Sequence, residues 1–314
     1  MKHVRWLLAL SVVLNLAIIG IVGPTNLLRQ VTSRNQFPLL SPRIFAHNQN
    51  DLIINFTALR AGLRQFILSQ EDFRAGVYFE YLPSGVSIGV NEKEEFISAS
   101  LIKVPLIMGI YKLIETGTLR PESQLTLRNE DIDSDFGTLW QRGPGTQLSV
   151  EEAIRLTLTE SDNTAARALD ALAKEDPIRE VYNALDIPIE YSGALPTVSP
   201  KNYSSIFRCL YLSCYLDYGH SQQILELLTR TKFEEGIPAG IPDGVPVAHK
   251  IGMYDLRDST KKVRLDCGII YVPRRPYILC VLAESEQGQE QLVTDFTKDV
   301  SQRVYAFVEK VNLQ

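Results

Sequence analysis

Residues 245–283 read VPVAHKIGMYDLRDSTKKVRLDCGIIYVPRRPYILCVLA. Three runs in this stretch are dense in β-branched and aromatic residues: Val245 to Ile251, Leu265 to Val272 and Tyr277 to Ala283. Such runs read as strands, and Pro273-Arg274-Arg275-Pro276 reads as the connection between the last two. An amphipathic helix from about Gln291 to Val311 follows. The folded part begins near Asp51, where Leu52, Phe56, Leu59, Leu63, Phe66 and Ile67 recur at helical spacing. After them, Val77 to Leu82 and Val86 to Val90 flank the turn Pro83-Ser84-Gly85. Strands at both ends and helices between them predict an α+β fold. One antiparallel sheet is built from both chain ends and flanked by N- and C-terminal helices, and the middle forms an all-helical lobe.

The lobe is read from four helical stretches: Leu101 to Ile114, ended by Gly117; Val150 to Glu160; Ala165 to Ala173; and Tyr203 to Leu216 after Pro200. A cleft between sheet and lobe is where a site is sought. The 314 residues, 45% of them hydrophobic, supply a substantial core. With 32 Lys+Arg against 37 Asp+Glu, the net charge of −5 gives no general attraction to polyanions, so nucleic acid is set aside as a partner.

At the N-terminus, Lys2, His3 and Arg5 precede an uncharged stretch from Trp6 to Leu28, densest from Leu7 to Val22. The run approaches the roughly 20 apolar residues that span a bilayer, and basic residues ahead of it place that end in the cytoplasm. No small-x-small cleavage site follows it. Residues 1–23 are therefore read as a signal-anchor or transmembrane helix. Residues 24–50, polar and broken by Pro24, Pro38 and Pro42, are read as a linker, and 51–314 as a domain on the extracytoplasmic side, secreted if the signal is cleaved. Cys209, Cys214, Cys267 and Cys280 permit disulfides there but have no metal-binding spacing. Cys209 and Cys214 fall on different faces of one expected helix, whereas Cys267 and Cys280 sit on neighbouring strands and are able to approach. Buried free thiols are the reading adopted for all four.

Ser100-Leu101-Ile102-Lys103 opens the apolar helix, and its i,i+3 spacing puts a hydroxyl and an ammonium on one face. A lysine that deprotonates a serine must be neutral part of the time, which requires burial or a second cation. The helix start adds unpaired N–H groups that favour negative charge. Alone the spacing says little, since Ser259-Thr260-Lys261-Lys262 repeats it in a charged loop. Ser161-Asp162-Asn163 is, by itself, a good helix cap, and Lys250-Ile251-Gly252 by itself a strand end. It is the ordered triple that carries weight.

In the extended stretches Ala99-Ser100-Leu101-Ile102-Lys103-Val104-Pro105, Ser161-Asp162-Asn163-Thr164-Ala165-Ala166 and Ala248-His249-Lys250-Ile251-Gly252, the chain resembles the penicillin-recognising serine hydrolases, above all the class A β-lactamases, with their S-x-x-K, S-D-N and K-T-G motifs. The resemblance spans about Asn50 to the C-terminus and implies the β-lactamase/transpeptidase-like fold. It implies that Ser100 is acylated with Lys103 as base, that Ser161 relays a proton to the leaving nitrogen, and that Lys250 holds that hydroxyl. It further implies that Asn163 orients the substrate amide and contacts Lys103, and that Asp162 braces the loop. The backbone N–H groups of Ser100 and Met253 would form the oxyanion hole, each worth about 3 to 4 kcal/mol, beside Gly252, which must be slim so that substrate can lie along the strand. No metal or cofactor is implied.

Two departures bear on activity. The Glu-x-x-Leu-Asn segment whose Glu activates the deacylating water is missing; between Asn163 and Pro200 the stretch from Asp186 to Leu195 offers only Glu190. Ile251 stands where the family has Thr or Ser, which removes a donor for a substrate carboxylate, and Arg257 and Lys262 are the candidate replacements. The expectation is a membrane-anchored serine hydrolase acylated by β-lactams, hydrolysing them slowly, or by D-alanyl peptides. The alternatives are a D-Ala-D-Ala peptidase or penicillin-binding protein, and a non-catalytic cell-wall-binding module of the same fold.

Overall fold

The computed structural model describes Leu39 and residues 55–173, 175–192, 195–255 and 260–310. The expected anchor and nearly all of the expected linker lie outside these residues. Among the described residues no helix is long and apolar enough to cross a membrane.

The folded chain opens with α1 (Thr57–Leu68), β1 (Arg74–Tyr81) and β2 (Val86–Val90), followed by the short β3 (Phe96–Ile97) and α2 (Lys103–Glu115). The lobe continues through β4 (Gln124–Thr126), β5 (Gln147–Ser149), α3 (Val150–Thr159), α4 (Asn163–Asp170), α5 (Pro177–Ala184), β6 (Glu190–Ser192), β7 (Leu195–Val198), α6 (Pro200–Leu212) and α7 (Tyr218–Leu228). The chain then returns to the sheet as β8 (Val247–Asp255), β9 (Lys262–Ile270) and β10 (Tyr277–Ser285), and ends in α8 (Glu290–Lys310).

The large sheet has the order β2-β1-β10-β9-β8, antiparallel throughout, so strands from both chain ends interleave as the sequence predicts. β10 is central and buried along its whole length. One face carries Val77, Phe79, Tyr81, Leu279 and Val281 against Leu59, Leu63, Val293, Phe296, Val300 and Val304 of α1 and α8. Fully burying each such side chain stabilises the fold by about 1.5–3 kcal/mol. α6 crosses the other face, over β1, β10 and β9, so the middle strand has no polar side and its apolar run is continuous.

Boundaries differ where pairing or capping overrides composition. β8 runs on to Asp255 and β9 begins at Lys262, because Lys262 bonds Asp255 (2.8 Å) across the two strand ends. The helix expected to reach Leu216 stops at Leu212, where Ser213 takes a φ of 53°. Two helices are additional. Asp176 caps α5, which has Pro177 at its first position, and Asp217 caps α7 by accepting the His220 N–H (2.8 Å). Both are ordinary start signals on segments too short to show periodicity.

The free-thiol reading of the cysteines is overturned. Cys267 and Cys280 are direct register partners on β9 and β10, with Cα atoms 4.1 Å apart, and form a disulfide. Cys209 and Cys214 are also bonded. The left-handed Ser213 folds the chain back so that the Cys214 N–H reaches the Cys209 carbonyl (3.0 Å), and the two residues no longer point from separate faces of one helix. Unfolded without reductant, the protein is expected to show no alkylatable thiol and to gain two hydrogens per bridge on reduction. Replacing Cys267 and Cys280 together by Ala should lower stability by about 2–4 kcal/mol, measurable by denaturant titration.

Candidate active site

The turn bearing Ser100 is held from three sides. The Ser98 N–H donates to the Pro196 carbonyl (2.9 Å), and the Tyr203 hydroxyl to the Leu101 carbonyl (2.7 Å). Ala99 sits at φ 46°, a left-handed conformation that costs an alanine roughly 1–2 kcal/mol and persists only where surrounding contacts enforce it. Behind the turn lies Gly252 of β8, where a Cβ would stand 3.1 Å from the Ser98 carbonyl oxygen and 3.3 Å from the Ala99 Cβ. The glycine therefore serves the packing of strand against serine turn, a role additional to the clearance for substrate that the resemblance implies. A 3₁₀ turn over Ala99–Ile102 leads into α2, so Ser100 lies at a helix start without a side-chain cap.

Ser161 joins α3 to α4 at φ 54°, and its carbonyl accepts from Lys103. Asp162, fully buried, accepts the N–H groups of Thr138, Leu139 and Ala165 at 2.8–2.9 Å, which is the bracing expected of it. Asn163 accepts from Lys103 Nζ at its Oδ1 (2.5 Å) and donates from its Nδ2 to Asp133 (2.9 Å).

Lys103 Nζ lies 3.1 Å from Ser100 Oγ, 3.2 Å from Ser161 Oγ and 2.6 Å from the Ser161 carbonyl oxygen. Lys250 Nζ lies 2.8 Å from the same Ser161 Oγ and 3.0 Å from the Ile251 carbonyl oxygen. The four groups singled out in the sequence thus meet in one place. Burial lowers the Lys103 pKa to about 7, opposed by the charges of Asp162 and Asp133 and assisted by Arg167. Lys250 is pushed well below the ordinary lysine range by complete burial and by the charge of Lys103, with Asp266 opposing. An amine poised near neutrality beside a hydroxyl can take its proton.

Ser100, Lys103, Asn163 and Met253 line a cleft of about 1090 Å³ between sheet and lobe. Glu190 does not line it; this carboxylate is exposed on β6, and the hairpin presents Leu195 to the cleft instead. Ile251 faces Asp266 across β9 and lines a separate small pocket with Thr294 and Thr297 of α8. Arg257 lies outside the described residues, as does Ser259 of the second S-x-x-K spacing, and Lys262 is tied to Asp255. Two arginines line the cleft, Arg167 and Arg264, neither singled out in the sequence; Arg264 is held between Asp255 and Glu290 at 2.7 Å each.

Asp133 and Arg167 were also missed. Arg167 follows Asn163 by one helical turn, a signal that was present, whereas nothing marks Asp133 in its loop. They form an ion pair beside Asn163. Burial opposes the charge of Asp133, but the Asn163 amide, the Asp135 N–H, Arg167 and Lys103 outweigh it and hold the carboxyl below its ordinary pKa.

The chain matches the model of a beta-lactamase enzyme family over residues 58–308. It is 21% identical over 259 residues to beta-lactamase VEB-1 of Pseudomonas aeruginosa, covering 74% of this chain and 86% of that protein. PBP-A superposes with a TM-score of 0.73 at 24% identity, covering 81% of this chain and 97% of that one. A mutant of PBP-A, solved as an acyl-enzyme complex with penicillin G, gives 0.74 at 25% identity with the same coverage. TLA-3 extended-spectrum beta-lactamase gives 0.75 at 18% identity, covering 82% and 100%.

Since Lys103 titrates near 7 when folded and near 10.5 when unfolded, the unfolded chain binds more protons between those values, and native stability rises with pH across that window. Below about pH 7 both states are protonated and the full cost of burying the ammonium is present. Lys103→Met removes this dependence. The stability difference between the two proteins should therefore shift toward the wild type as pH is raised from 7 to 10, as read by urea titration.

Proposed function

The chain belongs to the beta-lactamase enzyme family and is a β-lactamase-like serine hydrolase, and on that premise we propose that Ser100 is acylated by β-lactams and by D-alanyl peptides and releases the acyl group slowly. The observation that carries this reading is the 3.1 Å contact between Ser100 Oγ and a Lys103 whose pKa is about 7. Neutral Lys103 removes the Ser100 proton as the oxygen attacks the acyl carbon. The carbonyl oxygen gains the electron pair at an oxyanion hole assigned to the N–H groups of Ser100 and Met253. As the C–N bond breaks, Ser161 delivers its proton to the departing nitrogen and is reprotonated from the lysines on either side. Lys250 orients that hydroxyl throughout. Asn163, whose amide is engaged by Lys103 and Asp133, fixes the lysine more than it reads the substrate.

The hairpin of β6 and β7 is what supports slow release. Where the family's fast hydrolases place a glutamate for the deacylating water, this hairpin offers the cleft Leu195 among its described side chains. That favours a penicillin-binding or D-Ala-D-Ala peptidase character over efficient β-lactam destruction. A non-catalytic cell-wall binder is the poorer reading, because binding alone has no use for two buried amines at a serine hydroxyl, each costly to desolvate. The proposed place of action is outside the cytoplasm, on a membrane anchor formed by residues 1–23. Two disulfides agree with an oxidising compartment.

Incubation with benzylpenicillin is expected to yield an adduct on Ser100 that persists for minutes or longer in intact-mass spectra. Rapid turnover without an adduct would instead assign an efficient β-lactamase, and no reaction at millimolar concentration would remove the acyl-transfer reading. Lys103→Ala should lower the acylation rate by at least about a hundredfold, with circular dichroism unchanged.

A further inference from the structure

β8 is an edge strand of the large sheet, and residues 231–237 cross that edge from one face to the other. Side chains alternate along β8. Lys250 and Gly252 face the lobe, whereas His249 and Ile251 face α8. On the lobe side, the Lys232 N–H donates to the Thr159 carbonyl (3.0 Å), and Lys232 Nζ pairs with Glu160 (2.9 Å). These contacts are made to the last residues before Ser161. The Phe233 ring then lies 5.9 Å from Lys250 Nζ, within the range at which an aromatic face attracts a cation.

Beyond the edge, the backbone of the same segment is fastened to the opposite face. His249 Nε2 lies 3.0 Å from the Phe233 carbonyl oxygen, and His249 Nδ1 2.8 Å from Asp266 Oδ1. Asp266 Oδ2 accepts the Ile237 N–H (2.8 Å). Gly236 is required in between, at φ 70°, because a Cβ there would stand 2.7 Å from Asp266 Oδ2. His249 and Asp266 are almost wholly buried, at 1% and 3% exposure, and the acyl-transfer steps use neither. The segment is therefore bonded on one side to the chain that carries Ser161 and on the other to the strand that carries Lys250.

We propose that residues 231–237 form a strap that sets the contact between Ser161 and Lys250, and that His249 is the positioning residue that fastens it. The strap keeps the Phe233 ring over the lysine and water away from it, and a rigid strap holds the two motifs at hydrogen-bonding distance while substrate enters from the cleft. The kinetic side of this inference rests on the acyl-transfer reading above; the fastening itself does not.

Two variants separate the possibilities. Phe233→Ala leaves the His249 and Asp266 bonds in place but admits water to Lys250. That lysine then faces the Ser161 hydroxyl and Lys103, with the charge of Asp266 acting from the other face of the sheet, and relief of burial is the larger effect, so its titration moves up toward the ordinary lysine range. In carbon-13 spectra of the lysine side chains, the Lys250 midpoint is expected to rise by at least one pH unit, and the alkaline limb of benzylpenicillin acylation to move up with it. His249→Leu is expected to slow acylation at pH 7 at least tenfold, with partial recovery in His249→Gln, which restores a donor. An unchanged Lys250 midpoint in folded Phe233→Ala overturns the strap, whether or not His249→Leu folds. So does an acylation pH profile that is lowered without being displaced. Absence of an adduct on the wild type, together with a raised Lys250 midpoint in Phe233→Ala, keeps the strap and rejects only the acyl-transfer reading.

Discussion

A single hydroxyl shared by two buried amines is the contact on which the rest of this molecule depends. Ser161 Oγ lies 3.2 Å from Lys103 Nζ and 2.8 Å from Lys250 Nζ, and both lysines are almost completely removed from water. Two ammonium groups at that separation repel, and neither has a carboxylate in direct contact. Desolvation and mutual repulsion both disfavour the doubly charged state, so the site yields a proton-accepting amine near neutrality. The same arrangement is destabilising to the fold, and the apolar sheet and helix packing around it must offset that cost.

The scaffold meets this demand by anchoring each partner to a different rigid body and closing the gap with short, tight elements. Lys250 stands on β8, locked in register with β9. Ser100 and Lys103 stand where a 3₁₀ turn passes into α2, and Ser161 at the joint of α3 and α4. Gly252 lets strand and turn approach to contact distance, Asp162 collects three N–H groups from the surrounding loops, and residues 231–237 span the sheet edge. Two left-handed residues without a glycine's freedom, Ala99 and Ser161, flank the reacting groups. Their strain is sustained because the packing on every side leaves no room to relax.

Two side chains of the cleft wall come from different parts of the fold. Leu195 of β7 lines the cleft, and Arg264 of β9, the register partner of Met253, is engaged by Asp255 and Glu290.

The sequence alone determined the fold class, the order of the long strands and of most helices, and the four groups of the site, but not the short strands β3 to β7 or the helices α5 and α7. Period-two and period-3.6 patterns survive in any long element that buries one face, and the i,i+3 spacing of Ser100 and Lys103 is a local fact of helix geometry. The asparagine and glycine of the motifs were legible too, although the packing of Gly252 against the serine turn was not. Tertiary structure alone decided which strand lies beside which residue. Cys267 and Cys280 pair because β9 and β10 place them directly opposite, and Cys209 reaches Cys214 because Ser213 ends a helix early. Asp133, Arg264 and the His249–Asp266 pair enter the picture only when loops and strands distant in sequence are brought within 3 Å. Hydrogen bonds and ion pairs at that range depend on where the chain returns in space, and local spacing carries no record of it.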